Sequence, residues 1–383
     1  VDTLKRYQSF FLRPRNVYIL FLIGINIISA QSVWADRINI FDIYRYAFPH
    51  LLNHQNLYLY YLSQYRDLFK YSPTFAVFFA PFSVLPYYFS YFLWNNLCMM
   101  IIPVAIYRLP LETEKKSIIC WFVFIECLTC LQGTQANTII SALLVLSYAA
   151  FERKQLFWAA LFIAIATYIK VFPIAGCALF LLYPGKGRFI GYFILCMIGL
   201  FLLPLCFITW DDLIWQYHNW QRILQEDHEN RFGISIVGLV TKNFGITHFW
   251  KLAIQIGCIG IFMSQYIRYK LFPLLEYRLY FMASLLLCVV LVNHDAEDFS
   301  YCIAMIGVGI WYVLQPRQKW LAWSMLLFVI VVSVFPVDPT PKPVIHFMVA
   351  HILKALPCTL LWLFMVYQIQ TKKDFKALPE AAV

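Results

Sequence analysis

Charge is scarce in this chain. Asp, Glu, Lys and Arg together make up 13% of its 383 residues, against about 25% in a soluble domain. With 62% of the residues hydrophobic, so little charge cannot cover a water-exposed surface. This excludes an ordinary soluble globule. The apolar surplus runs along the whole length, so the chain reads as an all-α polytopic membrane protein. The charge that is present is basic, a formal +10, but it falls between apolar runs. It therefore reads as topological, and no nucleic-acid partner is expected. A small-residue cleavage site is also lacking after the first apolar run, which reads as a retained helix rather than a signal peptide. Paired metal or redox motifs are lacking too. Of eleven cysteines most lie inside apolar runs, and Cys127-x-x-Cys130 has no second pair nearby; they read as small buried residues. No internal repeat is evident.

What is present is a series of apolar runs close to the length of a spanning helix, about 20 residues. They cover 17–34, 88–107, 117–132, 135–151, 155–169, 171–183, 188–209, 248–268, 277–292, 300–314, 319–335 and 345–367. The apolar segment 73–86 is shorter and carries Pro73, Pro81 and Pro86. Laying it along the interface, rather than across the membrane, puts most of the 30 Lys and Arg residues on the cytoplasmic side. The expectation is about twelve spans in one integral membrane domain covering 1–383, with both termini cytoplasmic and external loops at 35–87 and 210–247. Residues 316–383 form the C-terminal helices.

Candidate chemistry collects on the external side. Ile43, Tyr44, Ala47, Phe48, Leu51 and Leu52 recur at helical spacing, which predicts a short amphipathic helix over 43–52 lying on the membrane, with a kink at Pro49. Asp42 stands just before it, either as an N-cap or as a general base at the water–lipid boundary. The turn Gln132-Gly133-Thr134-Gln135-Ala136-Asn137 offers amides, Gln135 and Asn137 among them, to a sugar or to helix ends. Lys170, in Ile169-Lys170-Val171-Phe172-Pro173, is costly in an apolar stretch. It suits an anionic phosphate, and a snorkelling interfacial lysine is the other reading. Asn293-His294-Asp295-Ala296-Glu297-Asp298 is an acidic loop, solvated or metal-binding. Asn230-Arg231-Phe232-Gly233-Ile234-Ser235 is a helix start or a substrate contact.

Taken in order, Asp42-Ile43-Tyr44, Tyr71-Ser72-Pro73, the Pro81–Pro86 segment, Trp94-Asn95, Gly133 to Asn137, Ile169 to Pro173 and Asn230 to Ser235 resemble glycosyltransferase family 87 over about residues 17–315. The resemblance implies a GT-C fold with interface-lying helices in the first external loop. It also implies a polyprenyl-phosphate sugar donor and a glycan or glycolipid acceptor, with membrane lipids around them. Asp42 matches the family's proposed base and Lys170 a position suited to the donor phosphate. Tyr44, Arg45, Tyr71, Gln135, Asn137, Arg231, His294 and Glu297 become candidate substrate contacts. The chain departs from the family pattern by one inserted residue in Gly133 to Asn137, and in the loop Asn293 to Asp298. The activity implied is inverting transfer of a hexose, mannose by resemblance, on the extracytoplasmic face of the cell membrane. No metal or cofactor is expected, because a fixed cation would stabilise the leaving phosphate. A flippase or transporter of a lipid-linked sugar, or a polymerase or ligase of lipid-linked glycans, would use similar parts.

Overall fold

The computed structural model describes residues 9–230, 233–245, 248–316, 318–334 and 341–377. Among these the regular structure is helical throughout. In chain order the α-helices are α1 (Pro14–Trp34), α2 (Asn39–Leu52), α3 (Pro73–Phe78), α4 (Ala80–Val84), α5 (Tyr87–Ile106), α6 (Thr113–Gln132), α7 (Asn137–Glu152), α8 (Leu156–Ile169) and α9 (Lys186–Leu202). They continue with α10 (Trp210–Asn230), α11 (Ile236–Phe244), α12 (His248–Met263), α13 (Leu275–Leu291), α14 (Tyr301–Leu314), α15 (Lys319–Val329), α16 (Lys342–Ala350) and α17 (Ala355–Thr371). A 3-10 helix, Phe172–Leu182, follows α8.

The helix count differs from the twelve expected spans. Among the described residues, three helices are long and apolar enough to cross a membrane: Pro14–Trp34, Tyr87–Ile106 and the continuous Lys186–Cys206. A fourth is obtained if α16 and α17, bent by 51° at their junction, are one span. Length explains part of the difference. The apolar helices α7 and α8 have 16 and 14 residues, and at about 1.5 Å per residue they fall short of a hydrocarbon core of about 30 Å.

The chain forms two compact units, one from Val1–Leu109 with Leu128–Asn230 and the other from Pro110–Cys127 with Arg231–Val383. In the first unit proline sets the helix starts. Pro73 opens α3 behind Ser72, whose hydroxyl accepts the Phe75 N–H at 3.1 Å. Pro81 lies in the first turn of α4 and Pro86 is the N-cap of α5. Proline suits these positions because its missing N–H would have no intrahelical partner there. Three prolines in 14 residues thus give two helices of 6 and 5 residues and the start of a third, and neither short helix is long enough to cross a bilayer.

Helix α2 buries Phe41, Tyr44, Ala47, Phe48 and Leu51 and runs through Pro49 to Leu52. It begins at Asn39, four residues before the expected start, so Asp42 lies in its first turn and is not an N-cap. Tyr44 enters an aromatic cluster with Phe75, Phe79 and Trp94 at ring separations of 5.1, 5.4 and 5.9 Å. Edge-to-face pairs of this kind add about 0.5–1.5 kcal/mol each beyond area burial. Helix α10 covers the first long loop: Gln216 donates to the Gln55 carbonyl at 2.6 Å and Trp220 to the Lys70 carbonyl at 3.1 Å.

In the second unit α13 is buried around its whole circumference, as befits a central helix. Its neighbour α14 approaches so closely that a Cβ on Gly307 would lie 2.6 Å from the Ala283 carbonyl oxygen. This is the small-residue contact by which apolar helices pack in a membrane.

Candidate active site

Two side chains of the same face of α2 reach the segment that opens α5. Tyr87 donates its hydroxyl to Asp42 Oδ1 at 2.5 Å. Arg45, one turn further along α2, donates from Nη1 to the Phe82 and Leu85 carbonyls at 3.0 and 2.9 Å. Its guanidinium lies 5.4 Å from the centre of the Tyr87 ring. Burial pushes the half-buried Asp42 carboxyl above the ordinary carboxylate range; the Tyr87 hydrogen bond and the Arg45 charge pull the other way, and Asp36 adds to the rise. A carboxylate with a raised pKa is a better proton acceptor near neutral pH.

A second polar path crosses the aromatic cluster. The Tyr44 and Tyr71 hydroxyls are 2.5 Å apart and buried, and Tyr71 donates to Gln135 Oε1 at 3.0 Å. Lys170 Nζ stands 5.8 Å from the centre of the Tyr71 ring. The sequence explains the meeting. Lys170 is extended, with φ −140° and ψ 148°, and ends α8; Pro173 lies in the first turn of the following 3-10 helix. Ser72, next to Tyr71, donates its hydroxyl to the Tyr168 carbonyl at the end of the same helix at 2.5 Å. The inserted residue of the amide turn is also accommodated: Thr134 takes a left-handed φ of 51° between α6 and α7. Gln135 therefore still reaches Tyr71.

Asn137 opens α7, fully buried, and neither polar atom of its amide has a protein partner. Its backbone carbonyl accepts the Ser141 hydroxyl at 2.7 Å. A buried polar group left unpaired costs about 1–3 kcal/mol, so this amide keeps hydrogen-bonding capacity that the protein does not use.

Asp42, Tyr44, Arg45, Tyr71, Gln135, Asn137 and Lys170 all belong to the first unit. His294 and Glu297 belong to the second. There the two late motifs pair through their backbones: Gly233 N–H donates to the His294 carbonyl at 2.7 Å and Ile234 N–H to the Ala296 carbonyl at 2.6 Å. Glu297 caps the short 3-10 turn Asp298–Ser300 by a reciprocal bond with Ser300. Arg231 lies outside the described residues.

Sequence reasoning missed three features. Tyr87, the partner of Asp42, is one. The second is an exposed contact in the first unit, where His54 Nδ1 is 2.7 Å from Asp212 Oδ2 and Thr209 donates its hydroxyl to the same oxygen at 2.6 Å. These contacts, the threonine's foremost, hold the Asp212 carboxyl below its ordinary range. The third is a buried ion cluster in the second unit. Lys354 Nζ lies 2.9 Å from Glu126 and 2.6 Å from Asp298, with the Tyr301 ring centre 4.7 Å away. A lysine and a glutamate inside two apolar runs were the available signal. Among the described residues no three His, Cys, Asp or Glu side chains converge in a way that would hold a metal.

An all-helical apolar chain that gathers a half-buried carboxylate, a lysine and an unpaired buried amide in one unit has the parts of a membrane glycosyltransferase. The family model of glycosyltransferase family 87 matches residues 69–293, more than half of the chain, and the chain belongs to this family. The match holds Tyr71, Gln135, Asn137, Lys170 and Arg231; it begins after Asp42, Tyr44 and Arg45 and ends before His294 and Glu297. No curated protein matches the chain.

Proposed function

We propose that this glycosyltransferase moves a hexose, mannose by resemblance, from a polyprenyl phosphate to an acceptor hydroxyl on the extracytoplasmic side of the cell membrane. In this reading the chain is multi-pass, with both termini in the cytoplasm. Asp42 takes the acceptor proton while the acceptor oxygen bonds to the anomeric carbon. The bond from that carbon to the phosphate oxygen breaks, its electron pair leaves with the polyprenyl phosphate, and the anomeric centre inverts. The Lys170 ammonium stabilises the charge growing on the phosphate. Gln135 and Asn137 supply amides for sugar hydroxyls, and the polyprenyl tail stays in the bilayer.

One observation carries this reading. The helix that bears Asp42 also bears Tyr44, and Tyr44 is joined through Tyr71 to the lysine at the end of α8. Acid and cation sit on different faces of that contact, linked by rings that run from Tyr87, the partner of Asp42, through Phe41 and Phe79 to Tyr44 and Tyr71. The test is transfer from a purified polyprenyl-phosphate sugar by the full chain in lipid. Asp42→Asn is expected to abolish transfer while donor binding persists. Near-normal turnover in Asp42→Asn would remove Asp42 from the base role, and a parallel loss in Asp36→Asn would give that role to Asp36.

A further inference from the structure

Asp42 does not stand alone, and its neighbours differ in kind. Arg45 Nη1 donates to backbone. By holding the Phe82 and Leu85 carbonyls, it ties α2 to the chain immediately before Tyr87, and its guanidinium faces the Tyr87 ring. Ser83 closes the same joint from the other side, donating its hydroxyl to the Arg45 carbonyl at 2.8 Å. Ser90 donates to the Phe82 carbonyl at 2.6 Å. The first residue of α5 is therefore fixed against α2 by bonds that do not involve Asp42. Tyr87 then adds the one bond that does, from its hydroxyl to Oδ1.

We infer that Tyr87 is a positioning residue for the base: its hydroxyl locks one carboxylate oxygen of Asp42 so that Oδ2 is the atom presented to the acceptor proton, and Arg45 sets Tyr87 in place. The inference rests on Asp42 being the base. A carboxylate that can rotate offers either oxygen in many orientations, whereas one pinned at Oδ1 has a single productive direction. The same bond stabilises the ionised form, so it also sets the pH at which the base is ready. The groups that face Asp42 are few. Tyr87 comes from α5, Arg45 from its own helix and Asp36 from the preceding turn. Helices α3 and α4, which also pack on α2, carry no titratable side chain.

The experiment is the pH dependence of kcat/KM for transfer by the full chain in lipid, in wild type and Tyr87→Phe. Phenylalanine keeps the ring that packs against Phe41 at 5.6 Å and removes only the donor. Loss of a donor to the charged form raises the carboxyl pKa, so the acid limb is expected to move to higher pH by about one unit, with kcat falling on the order of 10-fold. Phe41→Leu disturbs the same ring contact without touching the hydrogen bond and should leave the acid limb in place. Replacing Tyr87 with a ring-fluorinated tyrosine, nearly unchanged in size but a stronger donor, should move the limb the opposite way, which keeps the test independent of the phenylalanine variant's folding. An unmoved limb with normal kcat in Tyr87→Phe, or an equal shift in Phe41→Leu, overturns the inference. Inactivity of Asp42→Asn alongside either result leaves the base reading standing, whereas an active Asp42→Asn overturns both.

Discussion

Lys170 is placed by a break in the helix rather than by the helix itself. It ends α8 in an extended conformation and shares Tyr71 with the aromatic cluster, and in the proposed reaction its ammonium meets the donor phosphate. A charge-assisted hydrogen bond contributes about 1.5–3 kcal/mol. Lys170→Met is therefore expected to weaken donor binding or slow departure of the phosphate by roughly 10- to 150-fold, at about 1.4 kcal/mol per decade. Lys170→Arg should keep part of the activity, since the charge remains while the planar fork changes the geometry. The measurement is donor dependence at saturating acceptor. A normal donor response in Lys170→Met, with the defect confined to acceptor KM or protein yield, would reassign the lysine.

At the scale of the element, much was legible because the signals are local. Three prolines set 73–86 apart as a short segment, though not its division into α3 and α4, and the break at Lys170 before Pro173 matches the end of α8. The hydrogen bond of Tyr87 to Asp42 spans 45 positions and the link of Lys354 to Glu126 spans 228. No periodicity or spacing encodes such pairs. Helix α2 likewise begins ahead of its amphipathic stretch, with Asn39 to Asp42 as its first four residues. The pairing of residues 233–234 with 294–296 was also hidden, although its requirement is written as a glycine. A Cβ at position 233 would lie 2.3 Å from the His294 carbonyl oxygen and 2.6 Å from the Ala296 nitrogen. Gly233→Ala is expected to lower stability by about 1–3 kcal/mol, as overpacking does, with a matching fall in the thermal midpoint. Gly257→Ala serves as the control. Nothing lies within 4 Å of its Cβ position in α12, so it should be neutral or stabilise by up to about 1 kcal/mol. Equal midpoints for the two variants would show that the 233–294 contact does not constrain the chain.

At the scale of the whole molecule, composition sufficed to specify a helical membrane chain, but spans could not be counted from apolar runs alone. Helices as short as α7 and α8 carry the composition of a span without its length. Orientation rests on the distribution of Lys and Arg and on keeping 73–86 out of the membrane, and two short helices in that segment fit this choice. In a cysteine-free background, Thr113→Cys should react with an impermeant thiol reagent only from the cytoplasmic side, and Asn230→Cys only from the outside. Labelling of position 113 from outside would mean that 73–86 spans the membrane, and the parity argument would fail. The buried ion cluster bears on how such a chain is built. Synthesis runs from the N-terminus, so Glu126 and Asp298 are made before Lys354, the cation that lies between them. Lys354 is the N-cap of α17, at the bend after α16, and its partners are already present in the nascent protein when it is made. Charge balance in this cluster is therefore complete only once the last of its three members, Lys354, has been made.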